Sequence, residues 1–147
     1  MDENELLALL TGMRQAPISV CRIPHQIAAA IGALTTLVRL SPSTVRKQES
    51  KHRDSLSKLY LRAPIIITEG HVRISPPRHL VFIYHEEREK TRSFKAVVKS
   101  TTLGHELYLV SIHRVSRGDV RAAFRRTVDV EEWCKGRREV GPPRNPT

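Results

Sequence analysis

The pattern of apolar and polar positions indicates helices in the first part of the chain and strands in the second. Leu6, Leu7, Leu10 and Met13 recur at helical spacing and form one apolar stripe. Further along, the Ala-rich residues 25–34 are helical in composition, and residues 35–40, which include β-branched side chains, are strand-like. The expected elements are, in order, a helix over 3–13, a connector or edge strand over 15–24, a helix over 25–34 and a β-like segment over 35–40.

Two further helices are expected before the strands begin. Ser41 and Pro42 form a helix start, with Ser as the cap and Pro at the first helical position. The helix from Pro42 to about Lys51 is polar almost all round and should lie exposed. A second helix is predicted over 55–69 and closed by a glycine, although its β-branched run makes a strand there a real alternative.

The second half of the chain has the alternation and the punctuation of β-strands. The expected strands cover 71–75, 80–85, 93–101 and 106–115, and the last three predict a meander. A basic helix capped by Asp119 should follow, up to Thr127. We therefore expect an α+β fold in which N-terminal helices pack on a small antiparallel sheet of about four strands. The expected divisions are a helical segment over 1–36, a main domain over 37–128 and a basic, disordered tail over 129–147.

Charge narrows the class of partner. The 147 residues carry 25 Lys and Arg against 15 Asp and Glu, a net charge of +10. That balance favours polyanions, with nucleic acid first and an anionic membrane surface second. The chain has no apolar run long enough for a membrane span, and its acidic first residues are unlike a secretory signal, so we expect a cytoplasmic protein.

Motifs that would indicate a cofactor or a metal are missing from the sequence. There is no phosphate-binding glycine loop, no dinucleotide fingerprint and no nucleophile elbow. Cys21 and Cys134 are far apart and lack partners at zinc-ligand spacing, which fits a reducing compartment. We therefore expect a protein that uses neither a metal nor a cofactor.

Strand alternation sorts the candidate chemical groups into faces. In segment 93–101, Lys95 and Lys99 share a face with Val97 and Thr101. In segment 106–115, the expected faces are Leu107, Leu109, Ser111 and His113 on one side, and Tyr108, Val110, Ile112 and Arg114 on the other. Pairing of these strands would gather Lys, Thr, Ser and either His or Arg, a set that can hold a phosphate and move protons.

Each of these residues also has an ordinary structural interpretation. Lys95 and Lys99 can be solvated positions on an open sheet face. His113 and Arg114 can be rim residues at a strand end. His52 lies between Lys51 and Arg53, whose charges favour a neutral, proton-accepting imidazole. An exposed loop histidine is the alternative.

Several loose motifs in order resemble phage-associated nuclease domains of the barnase–EndoU–colicin–RelE superfamily. The resemblance begins with residues 38–45 (VRLSPSTV), a following lysine at 47 and the Lys-His pair at 51–52. It continues with Tyr60, Pro64 and Gly70 in the next helix. The last two matching phrases are the strands at 94–101 (FKAVVKST) and 106–114 (ELYLVSIHR).

The resemblance implies a barnase/RelE-like fold and a metal-independent endoribonuclease, such as a toxin or a phage or mobile-element nuclease. RNA is cleaved in that family by 2′-hydroxyl attack that leaves a 2′,3′-cyclic phosphate. The implied catalytic residues are His52 as general base or acid, Lys99 against the charged phosphorane, Ser111 to orient the phosphate and Arg114 to bind it. The implied substrate-binding residues are Lys47, Lys95, Thr101 and His113. Because the strand ends in His113 and Arg114, which of the two contacts the phosphate stays open.

The implied partners are RNA, with tRNA as the natural first candidate, and a cognate antitoxin or immunity protein. Such a nuclease would work in the cytoplasm, or in a target cytoplasm after delivery by a phage or a secretion system. Two other functions fit the same residues. The chain can be a basic nucleic-acid-binding protein without catalysis. It can also be an antitoxin-like interaction module that docks through the helix of Leu6 and Leu10.

Overall fold

A mixed β-sheet is the centre of the computed structural model, which describes residues 1–49, 53–87 and 92–139. Its strands are β1 (Ile18–Arg22), β2 (Leu37–Leu40), β3 (His71–Ser75), β4 (His79–Glu86), β5 (Arg92–Ser100), β6 (Leu107–Val115) and β7 (Val128–Asp129). They are ordered β1-β2-β6-β5-β4-β3-β7 across the sheet. β2 and β6 run parallel, and the other neighbouring pairs are antiparallel.

The helices divide unequally between the two faces of this sheet. They are α1 (Glu3–Leu10), α2 (His25–Ala30), α3 (Pro42–Glu49), α4 (Arg53–Leu61), α5 (Ala63–Glu69), α6 (Arg117–Arg126) and α7 (Val130–Glu139). All except α6 contribute apolar side chains to one large core on the face of Leu80, Val98 and Leu109, which we call the inner face. On the opposite, outer face, α6 packs with Val81 and Ile83 in a second, smaller cluster.

The expected sheet of about four antiparallel strands is wrong, although the α+β class is broadly consistent with the structure. Seven strands pair within the described residues, because both sides of the β3–β6 meander are extended. Val38 and Leu40 of β2 are fully buried, so this short strand needs a partner, and it pairs in parallel with Leu107 and Tyr108 of β6. The expected helical segment over 1–36 contains β1, which pairs with β2.

Local signals in the first half proved reliable. The helix start at Ser41 is confirmed, since its Oγ accepts a hydrogen bond from the Thr44 amide at 3.3 Å. The ambiguous stretch before Gly70 is helical rather than extended, with a break at Arg62 between α4 and α5. Pro64 stands in the first turn of α5, where its missing N–H costs nothing.

The tail expected to be disordered from residue 129 is structured as far as Glu139. Val130, Trp133 and Cys134 recur at helical spacing and pack against the main core. The Trp133 indole donates a hydrogen bond to the Ala30 carbonyl at 3.0 Å. This apolar stripe within a polar sequence explains why α7 forms, and residues 140–147 lie outside the described part of the chain.

Helix α6 begins with a capping box. The Ser116 hydroxyl accepts from the Asp119 amide at 3.1 Å, and the Asp119 carboxylate accepts from the Ser116 amide at 3.0 Å. The cap is therefore Ser116, and Asp119 is the third residue of the helix rather than its cap. Val120 and Ala123 then face the sheet, so α6 lies across part of the outer face.

A β-bulge in β6 changes which of its side chains face outward. Val97 of β5 opposes Ser111, whereas Val98 opposes Leu109, so Val110 is an extra residue in the ladder. Simple alternation fails at this point. The outer face carries Tyr108, Ser111 and His113, and the inner positions are Leu107, Leu109, Ile112 and Arg114.

Candidate active site

Four outer-face residues line up across four adjacent strands. The register pairs His79 of β4 with Lys99 of β5, Lys99 with Tyr108 of β6, and Tyr108 with Arg39 of β2. We call these four residues the cross-sheet row. Adjacent strands are about 4.8 Å apart, so His79 and Tyr108 flank Lys99 across roughly 10 Å. That span is wide enough for one phosphodiester group above Lys99.

His79 is a half-buried imidazole beside two cations. Burial lowers its pKa from the ordinary 6.5, and the charges of Lys99 and Arg78 lower it further. Arg78 is held in place because its Nη1 donates to the Thr102 hydroxyl at 2.9 Å. The imidazole is therefore neutral at physiological pH and able to accept a proton.

At the other end of the row, Glu106 neutralises part of the charge. The Tyr108 hydroxyl donates to Glu106 Oε2 at 2.6 Å, and Arg39 Nη1 lies 3.6 Å from Glu106 Oε1. The hydrogen bond to this carboxylate raises the pKa of Tyr108, with burial adding to the effect. Lys99 is thus the exposed ammonium of the row, whereas the Arg39 charge is paired.

The structure brings together part of the expected cluster and separates another part. Lys95, Lys99, Ser111 and His113 all belong to the outer face, where Lys95 opposes His113 and Ser111 lies diagonally next to Lys99. Arg114 opposes Phe94 at an inner-face position, because the bulge precedes Ser111 and ordinary alternation resumes after it. Of the two residues ending the strand, His113 is the one on the face of Lys99.

A groove runs between the outer face and one flank of α6. It has a volume of about 490 Å³ and opens beside the cross-sheet row, since Ser75 in its wall is the strand partner of His79. Its charged lining consists of Lys95, Arg126 and, from the end of β6, Arg114, against one acid, Asp119, and His113 lines it as well. A cleft with this charge suits an anionic chain that passes from the row along the helix.

Three other sequence-predicted residues have different surroundings. Thr101 uses its hydroxyl in the loop between β5 and β6, where it accepts from the Glu106 amide at 3.1 Å. Lys47 is exposed on α3, next to Gln48, whose side chain donates to the Ile112 carbonyl at 3.2 Å. His52 lies outside the described residues.

Two features, a metal-binding group and a membrane span, are absent from the described ranges. No three His, Cys, Asp or Glu side chains in these ranges are grouped so that they could hold a metal ion. No helix among them combines the length and the apolar character that crossing a membrane requires.

No protein-family model, curated protein or solved structure matches the chain. The cross-sheet row and the groove beside α6 are therefore the basis on which a function can be assigned. Both features belong to the outer face of the sheet, and both are rich in cations.

His79 is the site residue that sequence reasoning missed. Its importance comes from the β4–β5 register, which pairs it with Lys99. A weak signal was present in the sequence. His79, Val81 and Ile83 alternate along one strand and therefore share a face of the sheet, and the adjacent Arg78 adds positive charge. The hairpin register needed to match that face with Lys99 was not evident from composition.

Proposed function

We propose that the protein is a metal-independent endoribonuclease that cleaves RNA at the cross-sheet row, by attack of a ribose 2′-hydroxyl on the adjacent phosphorus. One observation carries the proposal: a neutral imidazole, His79, is the direct strand partner of an exposed ammonium, Lys99. General-base catalysis and stabilisation of a charged phosphorane require this pair of groups within one phosphate's reach.

The proposed reaction is balanced without a metal or a cofactor. His79 accepts the proton of the 2′-hydroxyl while the bond between the 2′-oxygen and phosphorus forms. Negative charge grows on the non-bridging oxygens, and Lys99 stabilises it. The bond from phosphorus to the 5′-oxygen then breaks as that oxygen takes up a proton, leaving a 2′,3′-cyclic phosphate and a 5′-hydroxyl. The resemblance implies His52 as a general base or acid, and with His79 as the base the second proton transfer would fall to His52.

Neighbouring groups would hold the substrate. Ser111 lies diagonally across from Lys99 and is the hydroxyl best suited to orient the reacting phosphate. Lys95 and His113 oppose each other farther along the same face and line the groove, where they would bind the next phosphate. The contribution of such charged contacts falls with salt because each one releases counterions from the nucleic acid.

The outer face is poor in the aromatic rings that read bases. Tyr108 is the aromatic residue of the row, and its hydroxyl is engaged by Glu106. Base-specific RNA recognition usually stacks bases on exposed aromatic side chains. We therefore expect cleavage with weak sequence preference, set by phosphate contacts and by access to an unpaired 2′-hydroxyl.

The decisive experiment is incubation of the purified protein with total tRNA in EDTA, followed by analysis of the fragment ends. We expect fragments that end in 2′,3′-cyclic phosphate, and rates at least about 100-fold lower in His79→Gln and Lys99→Gln. His25→Gln, at an exposed position that begins α2, is the matched control and should cleave like the wild type. Intact tRNA at micromolar protein would refute cleavage, and undiminished rates in the two variants would refute the assignment.

A second candidate function is RNA binding without cleavage. The observation in its favour is that His113, the histidine that lines the groove, opposes Lys95, which lies four residues along β5 from Lys99, too far for His113 to share one phosphate with His79. A protein of this kind would bind RNA with a steep salt dependence and leave it intact.

A further inference from the structure

Helix α6 presents a row of arginines to solvent on the side away from the sheet. Arg117, Arg121 and Arg125 are spaced four residues apart, so they share one face of the helix, and all three are exposed. Val120 and Ala123 occupy the opposite side and pack on the sheet. We call the three arginines the α6 ridge.

The charge of the ridge is not neutralised by nearby carboxylates. Within the described ranges, no ion pair joins any of its arginines to an acidic side chain. Asp119 is the single acid of α6, and its carboxylate accepts the Ser116 amide in the capping box. The described part of the chain therefore leaves α6 with an excess of positive charge, of which Arg125, in the last turn, also favours the helix dipole.

Other arginines of the protein have clear structural partners. Arg62 pairs with Glu86, Arg39 pairs with Glu106, and Arg14 pairs with Glu5. Arg73 is held without an acid, through Thr127 and the Phe124 ring. The ridge differs from them, which points to a ligand outside the chain.

The helix that carries the ridge is anchored firmly at its far end. Phe124 stacks on His71 with ring centroids 5.4 Å apart. The Arg73 guanidinium lies 4.6 Å from the centroid of the Phe124 ring. Arg73 also donates to the Thr127 carbonyl at 2.8 Å. A fixed helix holds its arginines at a spacing of roughly 6 Å along the axis, which lowers the entropic cost of binding a regular polyanion.

We propose that the α6 ridge binds the phosphate backbone of RNA outside the groove, so that substrate is held by the ridge and cut at the cross-sheet row. The choice of RNA as the polyanion rests on the proposed function. Positive charge reaches both flanks of the helix, because Arg126, next to Arg125 in the sequence, lines the groove. Guanidinium groups suit this task since they bind phosphate oxygens in a bidentate geometry.

The test uses RNA that cannot be cleaved, so that binding is separated from catalysis. A labelled single-stranded RNA with 2′-O-methyl riboses is titrated with protein at several salt concentrations. The variant is Arg117→Gln, Arg121→Gln and Arg125→Gln combined. The matched control removes the same charge from exposed residues on other elements, through Arg22→Gln, Arg46→Gln and Lys58→Gln.

We expect the slope of log K against log salt to fall in magnitude by about two in the ridge variant and much less in the control. The Kd at low salt should rise at least about tenfold, with thermal stability unchanged. Equal losses in the two variants would overturn the proposal by showing a general charge effect. Binding of both proteins to phosphatidylserine vesicles is measured as well. A ridge variant that binds RNA as tightly as the wild type but has lost vesicle binding would overturn the proposal in favour of a membrane surface. If the ridge variant binds weakly while unmodified tRNA stays intact with the wild type, cleavage fails and the ridge assignment stands.

Discussion

His79 and Lys99 are direct partners across β4 and β5, and their side chains share the outer face of the sheet. The pairing places a basic nitrogen beside a permanent cation. Protonation of His79 would add a second positive charge next to the first, so the pair favours the neutral imidazole. The consequences of this relationship can be measured without any substrate.

Removal of the Lys99 charge should raise the pKa of His79. In Lys99→Gln the repulsion that disfavours the imidazolium is lost, while the burial that also lowers the pKa remains. NMR titration of the His79 ring protons in the wild type and the variant measures the shift. Lys99→Arg keeps the charge and should keep the low pKa. A His79 titration that is the same in all three proteins would contradict the electrostatic coupling.

The same lowered pKa makes stability depend on pH. The unfolded imidazole has a pKa near 6.5, and the folded one is lower. As pH falls below 6.5, the unfolded chain binds a proton that folded His79 does not, so this contribution is present above the unfolded pKa and lost as pH falls through the folded pKa. Urea unfolding of the wild type and His79→Gln from pH 7.5 to 5 should show a difference that declines on acidification. A difference independent of pH would refute the prediction.

Glu106→Gln should lower the pKa of Tyr108. The Glu106 carboxylate accepts a hydrogen bond from the Tyr108 hydroxyl and would repel the phenolate formed when Tyr108 loses its proton. The uncharged amide of Gln removes that repulsion. Alkaline titration by ultraviolet absorbance measures the change, with Tyr108→Phe identifying the contribution of this tyrosine. The substitution also releases Arg39 from its ion pair, so RNA should bind more tightly at low salt. A raised pKa of Tyr108 in the variant would show that Glu106 is not the cause.

Gly104 should tolerate no side chain. Its φ is +78°, and a Cβ there would lie 2.1 Å from the carbonyl oxygen of Gly32, which belongs to the backbone and cannot move aside easily. Gly104→Ala should therefore reduce the free energy of unfolding by at least about 2 kcal/mol. Gly136→Ala, in α7 with open space around it, should be neutral or stabilising by up to about 1 kcal/mol. Chemical denaturation of both variants checks the contrast.

The four strands from β3 to β6 and the helix start at Ser41 were predictable because their signals are local. Each strand of the meander has alternating residues and a turn on either side. Ser41 begins α3 through its own neighbouring residues. The facing of β5 was also predictable, with Lys95 and Lys99 outward and Ala96 and Val98 buried. These features depend on intervals of two to four residues along the chain.

The missed features depend on contacts between distant residues. The parallel pairing of Val38 with Leu107 joins segments that no local pattern connects. The bulge at Val110 is a property of the β5–β6 ladder, and it reversed the expected positions of Ser111 and Arg114 relative to the apolar residues before them. The role of His79 likewise depends on register. Part of the candidate site, namely Lys95, Lys99, Ser111 and His113, was therefore named from the sequence. The place of His79 beside Lys99 required the three-dimensional strand pairing.

The parallel pairing of β2 with β6 also bears on the order in which the protein folds. The meander from β3 to β6 joins neighbouring segments, whereas β2, which pairs with nearby β1 on one side, finds its other partner in a strand that follows it by more than sixty residues. Pairings between distant segments close large loops and form slowly. A nascent chain that ends before β6 already has His79 and Lys99 on β4 and β5, but it lacks Tyr108, Ser111 and His113. The surface that would hold the substrate around the His79–Lys99 pair is thus completed only when the last central strand joins the sheet.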